Sequence, residues 1–220
     1  MNNKFLRGKY TYLRVPDVEQ DVLKGNWHNW FNNEKITKYL YHGVYPNTRI
    51  KQAEFVESAL KRKDMVLLAI VDSKSNAMCG VISLNRIDLL NRRSEIAIVM
   101  GDVKYSPGVP LEAMALMTQY GFDKLNLNKI YAGQHVGLWK WINTLELIGY
   151  KLEGYSSGSH IRYGKIADSV YTGISSLDFY ALLKQRNGKY CTEDVRSLLP
   201  QRRKINMIDQ LKKAVDGIYL

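Results

Sequence analysis

The spacing of apolar and polar positions changes several times along the chain, and each change marks an element. Over residues 9–15 aromatic or aliphatic side chains alternate with polar ones, which predicts a strand. Pro16-Asp17 then interrupts, and Asp17 is a suitable N-cap for a helical stretch reaching about residue 32 that carries Trp27, Trp30 and Phe31. Residues 50–62 place Ala53, Val56, Ala59 and Leu60 at helical spacing. A β-rich run at 66–71, turn chemistry at 72–76 and a second run at 79–87 predict a hairpin. A turn at Asn91-Arg92-Arg93 leads to a further strand at 95–100. After the breaker Ser106-Pro107-Gly108, residues 111–125 align Leu111, Met114, Ala115, Thr118 and Phe122 on one helix face. A strand at 129–134, a helix at 138–147, a strand at 149–154 and its partner at 166–174 follow. The order predicts a mixed α/β (α+β) fold rather than a regular strand–helix alternation.

Beyond residue 177 the composition shifts. Lys184, Arg186, Lys189, Arg196, Arg202, Arg203, Lys204, Lys212 and Lys213 dominate, with helical patterning around Ile205, Ile208, Leu211 and Val215. This predicts a domain over 1–176 and a basic helical extension over 177–220. The extension is expected to pack on the domain, on a partner subunit of a homodimer, or on a polyanion, the docked helix being the plainest reading.

The whole chain of 220 residues has 32 Lys plus Arg against 21 Asp plus Glu, a net charge of +11. Such a field favours anionic partners, among them phosphates, nucleotides and nucleic acid. It argues against basic peptide substrates. Two cysteines, Cys79 and Cys191, give no disulfide framework and no cysteine metal site, so no metal is expected and a reducing cytoplasm fits. No apolar run is long enough to span a bilayer.

The most informative segment runs from Glu95 to Met114, where a strand enters a Pro/Gly loop that opens a helix. Helix N-termini carry unpaired N–H groups and partial positive charge, which suits phosphate. Gly108 lets a ligand approach the backbone closely. On spacing alone such a junction is a weak signal.

Residues 91–150 add specificity. Glu95-Ile96-Ala97-Ile98, the Gly108 loop, Leu111-Glu112-Ala113, Tyr120-Gly121-Phe122, Leu125-Asn126-Leu127-Asn128-Lys129-Ile130 and Leu147-Ile148-Gly149-Tyr150 stand in the order of a known family. The segment resembles the GNAT superfamily of acetyl-CoA-dependent N-acetyltransferases, most closely its RimJ/RimL-like branch, over about residues 8–176. The resemblance implies a central, mostly antiparallel twisted sheet flanked by helices. It implies that the strand bearing Ile98, Val99 and Met100 splays from its neighbour and holds the pantetheine arm and thioester carbonyl. The loop and helix start at Ser106, Gly108, Val109 and Leu111 would then cradle the pyrophosphate. The reaction implied is direct attack of a neutral amine on the thioester, which needs a base, donors for the developing oxyanion and a leaving thiolate.

The chain departs from the family in two places. The family's Gln/Arg-x-x-Gly-x-Gly/Ala loop reads Tyr105-Ser106-Pro107-Gly108-Val109-Pro110 here, and the two prolines have no N–H to donate. Weaker or differently posed cofactor binding is expected. The family's later Asn-x-x-Ser/Ala-x-x-x-Tyr reads Leu138, Trp141 and Leu145, so its tyrosine acid is missing. Glu95 and His135 are the candidate bases, a carboxylate working through water or an imidazole of suitable pKa. Trp27, Trp30 and His42, interleaved with Lys35 and Lys38, are candidate acceptor contacts able to stack on rings and hold phosphates. Three readings follow. The first is N-acetylation of a small anionic amine such as a nucleotide-linked amino sugar. The second is the same chemistry on a protein N-terminus or a modified nucleic-acid base. The third is a degenerate GNAT-like fold that binds nucleic acid or serves as a scaffold.

Overall fold

The computed structural model describes residues 4–191 and 194–217. It divides into two compact units between Asn128 and Lys129. Each unit contains its own antiparallel strands.

In the first unit β1 (Lys4–Arg7), β2 (Thr11–Arg14), β3 (Val66–Asp72), β4 (Met78–Asp88) and β5 (Arg93–Met100) lie in chain order, every neighbouring pair antiparallel. The expected strand at 9–15 is the shorter β2. β1, which the pattern did not announce, is a short half-exposed edge strand. β3 is buried at every position after its first, as a central strand covered on both faces should be. On one face Leu67 and Val81 pack with Val22, Trp27, Trp30, Val56 and Ala59, and Val99 of β5 packs against them. Leu68, Ile70, Ile82, Leu84 and Ile96 alternate with these and are buried on the other face, along which α4 (Val109–Asp123) lies. Each such large side chain removed from water contributes about 1.5–3 kcal/mol.

The helix expected over 17–32 is interrupted. Asp17 caps a single wide turn, Val18–Leu23, by accepting the Gln20 N–H at 2.9 Å. The turn stops at Gly25, where a Cβ would lie 2.2 Å from the Asp21 carbonyl oxygen. The chain resumes as α1 (Trp27–Trp30) and α2 (Glu34–Thr37). α3 (Arg49–Lys61) agrees with its periodicity and is capped by the Thr48 hydroxyl, which accepts the Lys51 N–H at 3.2 Å.

In the second unit β6 (Lys129–His135) pairs with β8 (Lys165–Ser175), which pairs with β7 (Lys151–Arg162). β7 and β8 are far longer than the expected 149–154 and 166–174 because Tyr163-Gly164, both at positive φ (50° and 73°), close a tight hairpin whose twist matches the strands. The helix expected over 138–147 is α5 (Trp139–Leu145), with a single tight turn on either side.

The extension contains α6 (Ser176–Gln185) and α7 (Met207–Asp216) and docks within this unit. The buried Asn143 donates from Nδ2 to the carbonyls of Arg203 (3.0 Å) and Ile205 (2.7 Å), and Arg203 pairs with Glu146 at 3.0 Å. Ile208 is buried against Ile142 and Val170, whereas Ile205 is exposed. Asp168 accepts from the Tyr155 hydroxyl and from Lys212 of α7. The Val215 side chain lies outside the described residues.

Candidate active site

The junction between β5 and α4 is built around Gly108. It sits in the left-handed region at φ 92°, ψ −18°, and opens a helix of 15 residues with no side-chain cap. The first amides of α4 are thereby left to an external acceptor rather than to a serine or aspartate of the chain. Pro110 falls in the first turn, where a missing N–H breaks no helical bond.

The upstream loop is anchored by a group the sequence reading did not single out. The Ser106 N–H donates to Asp72 Oδ2 at 2.6 Å, and the Lys74 and Ser75 amides donate to Asp72 Oδ1, each at 2.9 Å. Burial works to raise the Asp72 pKa. The amides of Ser106, Ser75 and Lys74 and the Ser106 hydroxyl outweigh it and bring the carboxyl down to about 2. The Val109 N–H turns back to the Ser106 carbonyl at 3.3 Å. The expectation that Ser106 and Val109 offer their amides to phosphate is therefore corrected: both are engaged within the loop. Among the described residues, the Gly108 and Leu111 amides remain for an anion, with Lys104 nearby in sequence. The loop still fits a pyrophosphate, because both neighbouring carboxylates are saturated by backbone donors. Asp72 faces the loop amides, and Glu112 in the first turn of α4 accepts the N–H groups of Lys9 (2.9 Å), Tyr10 (2.8 Å) and Thr11 (2.8 Å).

Asp72 is a depressed carboxyl, so its contribution is complete above the ordinary carboxylate range and is lost only as pH falls towards 2. Asp72→Asn removes it at every pH. The expected result is a tenfold rise in KM for acetyl-CoA with kcat retained; an unchanged KM would show that the loop holds its shape without the carboxylate.

Alternation along β5 sorts its amides. Gly101 donates to the Cys79 carbonyl at 2.8 Å, next to the Met100–Gly80 pair. Val99 therefore shares the bonding phase of Gly101 and directs its amide to β4, while Ile98 and Met100 direct theirs to the opposite edge. Of the three strand residues expected to contact the thioester arm, Ile98 and Met100 turn their amides away from β4 and Val99 does not. Glu95 lies on the same face of β5 as Val99, its carboxylate half-buried and 3.4 Å from the exposed Arg86 guanidinium.

His135 ends β6 in the second unit. Its Nδ1 accepts the Gly137 N–H at 2.9 Å and its ring stands edge-on to His160. The geometry makes His135 a cap for the following turn.

Trp27 and Trp30 are 1% and 2% exposed. Both are core residues and offer no stacking face, which corrects their assignment as acceptor contacts. Trp30 has a positional role instead: a Cβ on Gly101 would lie 2.3 Å from its indole, so the ring is seated on the backbone at the end of β5. His42 does face open space. It stands 5.0 Å from the Phe31 ring and lines a cavity of about 450 Å³, and its desolvated surroundings lower its pKa. Asp72 and Glu112 were the residues missed. Their only signal was an isolated acid at a strand end and another in the first turn of an otherwise apolar helix.

No described helix is long and apolar enough to cross a membrane, and no described cluster of His, Cys, Asp and Glu is suited to a metal. A family model for the acetyltransferase (GNAT) domain matches residues 12–151. The chain is 26% identical over 161 residues to the uncharacterized N-acetyltransferase p20 of Bacillus licheniformis, covering 71% of this chain and 87% of that one. It is 26% identical over 156 residues to the putative ribosomal N-acetyltransferase YdaF of Bacillus subtilis, covering 70% and 81%. A spermidine N-acetyltransferase from Vibrio cholerae, solved with CoA and spermine, shares the fold at a TM-score of 0.70 and 21% identity, over 78% of this chain and 98% of that one. With the family's domain matched over more than half its length, the chain belongs to the GNAT acetyltransferases and is an acetyl-CoA-dependent N-acetyltransferase.

Proposed function

We propose that the acceptor is the primary amine of a small anionic molecule, of the kind represented by a nucleotide-linked amino sugar. The observation that carries this reading is the charge of the segment preceding and opening α3. From residue 35 to residue 53 it holds Lys35, Lys38, Arg49 and Lys51 and no acidic residue. A polycationic amine would meet repulsion there, and a phosphate would be drawn in. The reading takes residues 1–176 as the catalytic domain and 177–220 as an extension of it.

When bound, acetyl-CoA supplies an acetyl thioester open to direct attack. The Gly108 and Leu111 amides and the α4 N-terminus would hold its phosphates. Glu95 would accept, through a water, the proton that the acceptor's ammonium must lose, with Arg86 orienting the carboxylate. The Ile98 and Met100 amides would be the donors facing the thioester carbonyl oxygen. Leu145 is fully buried and apolar where the family resemblance places a tyrosine, so no side chain there protonates sulfur. A thiol of pKa about 8.5 leaves adequately near neutrality without one.

Glu95→Gln tests the base. kcat should fall about a hundredfold, the lower end of the range for loss of a general base, while acetyl-CoA affinity stays constant. His135→Gln should leave kcat near wild type. A Glu95→Gln enzyme with the wild-type kcat would remove Glu95 from the reaction. A second reading, a protein N-terminus as acceptor, is favoured by the name of the Bacillus subtilis relative. Acetylation of a ribosomal peptide in preference to any phosphorylated amine would establish it instead.

A further inference from the structure

One feature of the first unit that the reaction does not use is the cavity of about 450 Å³ between α3 and the loop that precedes it. Its size lies within the range of small-molecule sites. The loop is pre-formed. Asn32 and Asn47 exchange two hydrogen bonds, Nδ2 of Asn32 to the Asn47 carbonyl at 2.8 Å and the Asn47 N–H to Oδ1 of Asn32 at 2.7 Å. Asn47 also donates from its side chain to Gln52 Oε1 at 2.8 Å. A wall held by these three hydrogen bonds keeps its shape before any ligand arrives.

The chemistry of that wall is specific. Phe31, Tyr41, Tyr45 and Phe55 supply aromatic surface, and Tyr45 is 80% exposed. Lys51 and His42 add cationic or donor character, and among the described residues no acidic side chain lines the cavity. Gln52 is 3% exposed. Its carbonyl oxygen is used by Asn47, but its Nε2 is buried without a partner, a donor that costs free energy until an acceptor reaches it. Aromatic faces, a cation and an unused amide donor together describe a ring with carbonyl groups that carries negative charge. They do not describe a polyamine, which needs carboxylates. The cavity is also close to the chemistry along the chain. Phe31 in its wall follows Trp30, whose indole rests on Gly101 at the end of β5.

We infer that this cavity is a nucleotide subsite that takes the base and phosphates of the acceptor, away from the amine that is acetylated. The inference rests on the anionic-acceptor reading above and goes further than it, because it places the recognised group. Base rings stack on the tyrosine and phenylalanine faces, Gln52 donates to a ring carbonyl, and Lys51 meets phosphate.

The test is a calorimetric titration of the full chain saturated with CoA, so that nucleotide cannot enter the cofactor side. The probes are uridine, thymidine and guanosine diphosphates, with spermidine as the contrast. At least one nucleotide should bind saturably. Lys51→Glu should weaken it at least tenfold and Phe55→Ala at least threefold, with CoA affinity unchanged in both variants. The proposal is overturned if none of the three binds at millimolar concentration while CoA does. It is equally overturned if both variants bind as wild type does, or if spermidine is the ligand these variants affect. Acetylation of a phosphorylated amino sugar lacking a base, at a rate insensitive to Lys51→Glu, would uphold the anionic acceptor and still sink the cavity assignment.

Discussion

Replacing Glu112 with alanine is expected to lower the stability of the protein by about 2–4 kcal/mol, the cost of leaving one buried and two partly buried backbone donors without a charged partner. Glu112 is 5% exposed and accepts three consecutive backbone N–H groups, from Lys9, Tyr10 and Thr11. It ties the β1–β2 turn to the first turn of α4, and Gly8 makes room for it, since a Cβ there would lie 2.5 Å from the carboxyl carbon. Alanine leaves those amides facing a void. In a chain of this size the loss corresponds to a fall in Tm of roughly 10 °C. Glutamine should recover part of it, because its carbonyl oxygen can still accept. A melting temperature within 2 °C of wild type for Glu112→Ala, about what a loss below 1 kcal/mol would give, would mean that water replaces the carboxylate and that the keystone role is wrong.

Gly108→Asp should be the most damaging change for the cofactor, lowering acetyl-CoA affinity more than a hundredfold. At φ 92° a side chain is strained, and relieving that strain would turn the helix start away from its ligand. The added carboxylate would also cap the amides that phosphate needs and repel the phosphate itself. Gly108→Ala separates the contributions, since it adds the strain and not the charge, and should cost about tenfold. Both are read by titration with acetyl-CoA. If the Gly108→Asp and Gly108→Ala proteins bound equally well, the phosphates would have to lie elsewhere.

What the sequence made legible was whatever repeats locally. α3 and α4 follow from apolar spacing over three or more turns, and β3 and β4 from runs too apolar to be anything but central strands. The break at Gly25 was invisible because the contact that demands glycine, with the Asp21 carbonyl, exists only once the turn is wound. The length of the β7–β8 hairpin was hidden by Ser156-Ser157-Gly158-Ser159, a stretch of poor strand propensity across which the pairing with β8 shifts register, with Gly158 at positive φ, before it resumes at His160. At the candidate site, the place of Gly108 at the start of a helix could be read from a strand–loop–helix order. Asp72 could not, since it is 34 residues from the Ser106 it anchors. His135 reads as a candidate base by residue type, and its role as cap of the following turn shows only in the bond from Gly137. Trp27 and Trp30 looked like a binding stripe because aromatic spacing is the same for a core and for a platform.

The seating of Trp30 on Gly101 gives the protein a built-in optical reporter. The indole lies where β5 passes into the loop that opens α4, so any shift of that backbone changes the ring's surroundings and with them its emission. A chain in which Trp27, Trp139 and Trp141 are replaced by phenylalanine would leave Trp30 as its single tryptophan. Arrival and departure of the cofactor could then be timed by stopped flow on the unlabelled enzyme, with no dye attached near the chemistry.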